Sequence, residues 1–285
     1  NDIGTIEMNK INVRQNEIVE KETVQMQPIK RMKKNEIKVI DATHHIVMPG
    51  LINTHAHIPM SIFRETTEGC KLYEWLQDKI WPVEDKLTQE DVYWASMLSY
   101  IEMISTGTTC INDQYFLQEA IRKAAEDMGV RAVLTRPVIG EKEEAKKRIE
   151  EFRQFYETRD RENDLITYTV APHSLYTCSP EALQMTADLA KELKLPIHVH
   201  FLESVDEIED IKQKHGEKAS KVLKKYFDGI HTILAHAVHL DDEDISILKT
   251  IDCGIAHNPV SNLRLGCTIA DTTKYLQNNL NIALR

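Results

Sequence analysis

A chain of 285 residues, 42% of them hydrophobic, can bury one large α/β core or two ordinary ones. Its formal charge of −10 excludes a general nucleic-acid or anionic-membrane surface, because affinity for phosphate backbones needs clustered Lys and Arg. No window approaches about 18 consecutive apolar residues and no charged-then-apolar leader opens the chain, so neither a membrane span nor a signal peptide is expected. The cysteines Cys70, Cys110, Cys178, Cys253 and Cys267 are odd in number, scattered and never in a C-x-x-C pair. That pattern argues against a disulfide framework and for the cytoplasm.

Residues 1–50 carry short β-rich stretches such as "INVRQNEIV" and "EIKVIDAT" broken by polar turns, with the basic run "KRMKK" at 30–34 reading as a solvated hairpin edge. They form a small β-segment before the main domain, 51–285. From residue 51 a β-like run is repeatedly followed by a helix-like one. The β-like runs are 50–57, 107–113, 131–138, 165–173, 196–203, 231–240, 252–259 and 281–285. Thr88 with Asp91 resembles a capping box opening a helix to about Ser105, and Gly129 closes a helix that begins near Phe116. Ser179 followed by Pro180 suits an N-cap and first helical position. Strands alternating with helices predict an α/β fold with parallel pairing, and eight such units close a (β/α)8 TIM-type barrel. An open doubly wound sheet is the rival, but no G-x-G-x-x-G follows the first run.

The first run, "LINTHAHIPM", ends on His55 and His57, which share one face of a strand because side chains alternate. In such barrels the site is built from the C-terminal strand ends. Reading those ends in order gives His55, His57, Asp113, Arg136, His173, His198, His200, Glu203, His236, His239 and His257. Any one of these histidines alone reads as an ordinary core or surface residue. Their convergence changes that, since buried imidazole is costly unless hydrogen-bonded or ligating. Two alternating pairs on separate strands have the spacing a divalent metal wants. Glu203 lies just past a strand end, placed to reach a substrate. His239 precedes "LDDED" and reads as a loop residue, while His44, His45, His215 and His231 read as surface. Arg136 ends an apolar strand and needs a carboxylate partner from protein or substrate.

With these residues in hand, the motifs "PGLINTHAH", "HVHFLE", "AHAVHL" and "HNPVSNLRLG" resemble the amidohydrolase superfamily, in its 5′-methylthioadenosine/S-adenosylhomocysteine deaminase branch related to triazine hydrolases. The resemblance runs from "VIDATHHIVMPG" to the last residue. It implies a (β/α)8 barrel plus a small β-sandwich built from both chain ends, of which residues 1–50 are the N-terminal part. It implies that His55, His57 and His200 ligate one divalent metal per chain, Zn²⁺ or Fe²⁺, that His236 holds the attacking water and that Glu203 shuttles a proton to the purine ring. The stretches "YEWL", "WPVEDKL", "LTRPV", "KKRIEE" and "APHSLY" match pocket-lining segments and nominate Trp75, Glu84, Arg136, Arg148 and His173. Glu84 is then expected on ribose hydroxyls and the two arginines near a carboxylate tail, although Arg148 on its own reads as part of a solvated helical face.

The implied reaction is metal-dependent hydrolytic deamination of an adenine nucleoside, S-adenosylhomocysteine or 5′-methylthioadenosine, to the inosyl product and ammonia. Guanine or cytosine-type deamination, triazine dechlorination and a catalytically inactive metal-binding fragment are the alternatives. The partner is a small-molecule nucleoside, with no nucleic acid and no membrane, and a homo-oligomer stays open. In the superfamily a further aspartate at the metal follows the last strand, which here falls about two residues beyond Arg285. A polypeptide ending at Arg285, its barrel incomplete at the last strand and half of its sandwich absent, is expected to expose apolar surface and to aggregate.

Overall fold

A computed structural model describes residues 8–14, 17–24, 42–66 and 69–284. The run "KRMKK", most of "EIKVIDAT" and Arg285 lie outside the described residues. Backbone contacts divide the chain into Asn1–Pro49 and Gly50–Arg285. In the first unit β1 (Met8–Arg14) and β2 (Glu17–Val24) pair antiparallel, with a register shift between Asn12 and Val13.

The second unit begins with β3 (Leu51–Ala56). A 3₁₀ stretch, Ile58–Phe63, leads to short helical turns, α1 (Leu72–Trp75), a π-helical turn Leu76–Ile80 and α2 (Trp81–Glu84). Then come α3 (Gln89–Ser105), β4 (Thr108–Gln114), α4 (Gln118–Met128), β5 (Arg131–Thr135), β6 (Pro137–Val138) and α5 (Lys142–Glu157). Next follow β7 (Ile166–Tyr168), β8 (Ala171–Pro172), α6 (Pro180–Leu193), β9 (Ile197–Phe201), α7 (Asp206–His215) and α8 (Ala219–Phe227). The chain closes with β10 (Thr232–His236), α9 (Asp242–Leu248), β11 (Cys253–His257), α10 (Pro259–Arg264), α11 (Thr272–Gln277) and β12 (Asn281–Leu284).

All these pairings in the second unit are parallel. One ladder runs β3-β4-β5-β7 and the other β9-β10-β11-β12. Single bridges, Val170 to Ile197 and Ser174 to His200, join the ladders on one side. On the other side the Thr54 hydroxyl donates to the Leu284 carbonyl at 3.1 Å. Eight strand positions with outer helices make the (β/α)8 barrel that the alternation predicts. The runs 131–138 and 165–173 are each split, β5 from β6 and β7 from β8. The same two strands remain partners across the break, β5 with β7 and then β6 with β8, linked by the Thr169 amide to the Leu134 carbonyl at 3.2 Å and the His173 amide to the Val138 carbonyl at 2.8 Å.

The capping box holds as expected: Thr88 accepts from the Asp91 amide at 3.2 Å and Asp91 accepts from the Thr88 amide at 2.9 Å. Ser179 caps α6, and Gly129 ends α4 in the left-handed region at φ +69°. That helix starts at Gln118 rather than Phe116, because Leu117 turns left-handed first, at φ +52°. The core lies between strands and helices, and β9, "IHVHF", is buried at every position as a central parallel strand must be. No helix among the described residues is long and apolar enough to cross a membrane.

Candidate metal centre and active site

His55 near the end of β3, His57 just past it and His200 on β9 come together, with one nitrogen from each within 4.8 Å of the others. Among the described residues this is the one cluster of three such groups. The hydrogen bonds behind the rings fix their chemistry. His57 Nδ1 donates to the Gln114 carbonyl at 2.5 Å, and His200 Nδ1 donates to the His173 carbonyl at 2.8 Å. A carbonyl only accepts, so both Nδ1 atoms carry the proton. The neutral rings then aim their Nε2 lone pairs at one another, 3.2 Å apart. Two lone pairs at that distance repel unless an electropositive atom lies with them. His55 Nε2, fully buried, has no hydrogen-bond partner among the described residues, while its Nδ1 pairs with His198 Nε2 at 2.8 Å. The donor set therefore fits a divalent metal, with carbonyl and imidazole groups behind the ligands orienting them.

Burial, then the neighbouring imidazoles, holds the pKa of His55 well below the ordinary histidine range. Burial and His200 bring His198 down to about 3, and burial, His200 and Arg148 keep His173 low. Neutral imidazole is the ligating form. Asp113 anchors the turn after His57 by accepting from the Ile58 amide at 2.6 Å, and Gln118 donates to its other oxygen at 3.0 Å.

Glu203 and His236 meet beside this cluster, Glu203 Oε1 lying 3.3 Å from His236 Nδ1, with both side chains nearly buried. The same Nδ1 is 2.7 Å from Asn262 Oδ1. Two oxygens around one ring nitrogen keep the proton on Nδ1 and leave Nε2 as the acceptor nitrogen of the ring.

A cavity of about 1210 Å³ opens over these groups, and Trp75, Glu84, Arg148 and His173 line it together with His57, His200, Glu203 and His236. Trp75 comes from the turns between β3 and α3 and is held by an indole N–H bond to the Thr66 hydroxyl at 3.2 Å. Burial, with Asp85 adding to it, raises the pKa of Glu84. Arg136 is not among the lining residues. Its guanidinium is paired with Glu151 of α5, at 2.9 Å from Nε and 2.8 Å from Nη2, so the carboxylate partner it needs is a protein one. Arg148 reaches the cavity, stacks over Phe116 and has its Nε 2.8 Å from Glu144, close enough for an ion pair but not aligned as a hydrogen bond.

Of the remaining histidines, His44, His45 and His231 are exposed. His215, read as surface, is half-buried instead, because its Nε2 pairs with the Leu175 carbonyl at 2.8 Å and ties α7 to the loop after β8. Sequence reasoning gave no role to Gln114, Asn262 or Glu207. Asn262 stood in the quoted "HNPVSNLRLG", and Glu207 was hidden in the charged run "ESVDEIED", four residues after Glu203. Gln114 acts through its backbone carbonyl, which has no residue-type signal.

The model of the amidohydrolase family matches residues 46–285. The chain is 41% identical over 266 residues to a 5′-deoxyadenosine deaminase of Methanocaldococcus jannaschii, covering 90% of this chain and 63% of that protein. It is 43% identical over 252 residues to a 5-methylthioadenosine/S-adenosylhomocysteine deaminase of Thermoanaerobacter pseudethanolicus, covering 87% and 58%. The chain thus spans about 60% of the length of these curated relatives. Among solved structures, an adenosine deaminase from Xanthomonas campestris with bound zinc aligns with a TM-score of 0.75 at 28% identity, over 83% of this chain and 55% of that one. A triazine hydrolase from an Arthrobacter aurescens source shares the fold, with a TM-score of 0.75 at 20% identity over 83% and 58% of the two chains. A family match across this much of the sequence, on a barrel whose strand-end histidines converge, means that the chain belongs to the amidohydrolase family.

Proposed function

We propose that the protein is a metal-dependent aminohydrolase that removes the 6-amino group of an adenine nucleoside bearing a modified 5′ position, such as 5′-deoxyadenosine, 5′-methylthioadenosine or S-adenosylhomocysteine. The observation that carries this reading is the three-histidine cluster beside the Glu203–His236 pair on the floor of one cavity. Relatives named as deaminases of such nucleosides, at 41% and 43% identity, support the substrate class. His55, His57 and His200 would hold the metal, one Zn²⁺ per chain. Bound there, a metal supplies Lewis acidity, lowering the pKa of water from about 15.7 towards about 7.

The protein's own groups do the rest. His236 Nε2 accepts a hydrogen bond from the attacking water and orients it toward C6. Glu203 gives a proton to ring N1 as the water oxygen bonds to C6. Glu203 takes back one of the water's protons, the other passes from the new C6 hydroxyl to the amino nitrogen, and the C6–N bond breaks, so that ammonia leaves and the inosyl product remains. Trp75 and His173 wall the base and ribose, and Glu84 takes the ribose hydroxyls. A carboxylate tail is received by Arg148, with Arg136 joining it only by leaving Glu151.

The test measures metal content and loss of adenine absorbance for the intact protein with all three nucleosides. Glu203→Gln is expected to keep its metal and lose about 10²- to 10⁴-fold in kcat. Full activity in that variant removes the role given to Glu203. A metal-loaded protein that deaminates none of the three nucleosides overturns the substrate class.

A further inference from the structure

The strand ends that carry Glu203 and His236 are both bent into a backbone region that branched side chains rarely adopt. Leu202 sits at φ +46°, His236 at +75° and Ala237 at +47°. Such conformations persist only where the surroundings over-determine them. Around β10 the surroundings are plain. The Ala237 amide donates to the Phe201 carbonyl at 2.8 Å, and the Val238 and His239 amides donate to the Leu202 carbonyl at 3.0 and 3.2 Å. The Tyr275 hydroxyl lies 2.9 Å from the Ala237 carbonyl and 3.2 Å from that of Val238.

After Leu202, the next two amides in the chain are those of Glu203 and Ser204, and both residues are nearly buried. Amides buried without an acceptor are costly. Both donate to a single atom, Glu207 Oε1, at 3.0 Å each. Glu207 is the second residue of α7 and is 1% exposed, folding back over the start of its own helix. Its other oxygen, Oε2, is buried with no hydrogen-bond partner among the described residues. A buried acid with one unsatisfied oxygen is costly in itself. What it returns is the geometry of two consecutive amides, one of them the amide of Glu203.

We propose that Glu207 is a positioning residue, whose Oε1 clamps the Glu203–Ser204 backbone and thereby aims the Glu203 carboxylate at His236 and the cavity floor. The effect on turnover rests on the reading of Glu203 as the proton carrier; the clamp itself does not. Burial drives the Glu207 carboxyl up to about 7, against the amides of Ser204, Glu203 and Leu202 that hold it down. Glutamine in its place keeps a carbonyl oxygen able to accept both amides, and alanine keeps nothing.

The experiment compares Glu207→Gln and Glu207→Ala with the parent protein in kcat, KM, metal content and amide hydrogen exchange. Glu207→Gln is expected to hold kcat within about threefold. Glu207→Ala is expected to lower kcat by about 10- to 100-fold with KM and metal content within about twofold, since a misplacement near 1 Å can cost about 10²-fold. The Glu203 and Ser204 amides are expected to exchange at least about tenfold faster in Glu207→Ala than in the other two proteins. Where Glu207→Ala does not fold, Glu207→Asp, one methylene too short to reach both amides, takes its place. Parental kcat in the alanine variant, a change confined to KM, or a glutamine variant as slow as the alanine one each overturns the proposal. So does equal amide exchange in all three, and because exchange needs no substrate it judges the clamp even if no adenine nucleoside is turned over.

Discussion

At the scale of single residues, the site is governed by what lies behind the histidines. Asp113 holds the turn after His57 through the Ile58 amide, next to the carbonyl that orients the His57 ring. Asp113→Ala is expected to lower metal affinity by about 10- to 100-fold, read by competition with a chelator, as removal of groups behind metal ligands does; unchanged affinity removes Asp113 from that role. Glu207 makes stability depend on pH in an unusual direction. Its carboxyl titrates at about 7 against an ordinary 4.5, with Asp210 on its own helix adding to the rise and Tyr73 and Tyr176 facing it across the cavity. Between those values the folded protein keeps a proton that the unfolded chain has released. This contribution is therefore full below about pH 4.5 and is lost as pH rises through 7, amounting to about 3 kcal/mol at most. Urea midpoints at pH 5 and pH 8 should fall less in Glu207→Gln than in the parent; equal falls contradict the assignment. The two histidine pairs were legible from the sequence because alternation in "THAH" and "HVH" is a local rule, whereas the choice of His55, His57 and His200 as the cluster came from the resemblance. Glu207, Asn262 and the Gln114 carbonyl were not legible, since each acts through a turn or a contact that no spacing encodes.

At the scale of elements, the strand ends are kept in place by their neighbours in the barrel wall. α11 contributes Tyr275, which is 1% exposed and donates to the carbonyls of the turn after His236. Tyr275→Phe keeps the ring and removes that donor, so an expected loss of about 1–3 kcal/mol in urea unfolding, with unchanged slope, measures the bond. No loss would mean that water replaces the hydroxyl. All eight strand runs were legible as apolar stretches between turn signals, and the α3 box as Thr88 with Asp91. The split of two of these runs was not legible, because a local break in pairing depends on the neighbouring strand and not on the run itself. The turns from Ile58 to Glu84, which bring Trp75 and Glu84 to the cavity, were legible only by resemblance, because helical pieces of four to six residues show no period.

At the scale of the whole molecule, α3 presents Trp94, Leu98 and Ile101 to solvent, 60%, 47% and 53% exposed, at spacings that place them on one helical stripe. Changing all three to glutamate is expected to raise the concentration at which the 285-residue polypeptide stays monodisperse in light scattering; no change would show that this stripe does not drive association. The ladder topology also dictates when the three-histidine cluster can assemble. His55 meets His198 across 143 residues, and Thr54 meets Leu284 across 230. Contacts that distant form slowly, because the loop-closure entropy of nearly the entire barrel comes first. Helices can appear early in refolding, but a three-histidine grip cannot precede the approach of the first strand to the fifth. Recovery of metal binding after dilution from denaturant thus acts as a clock for barrel assembly, lagging behind the return of helical circular dichroism.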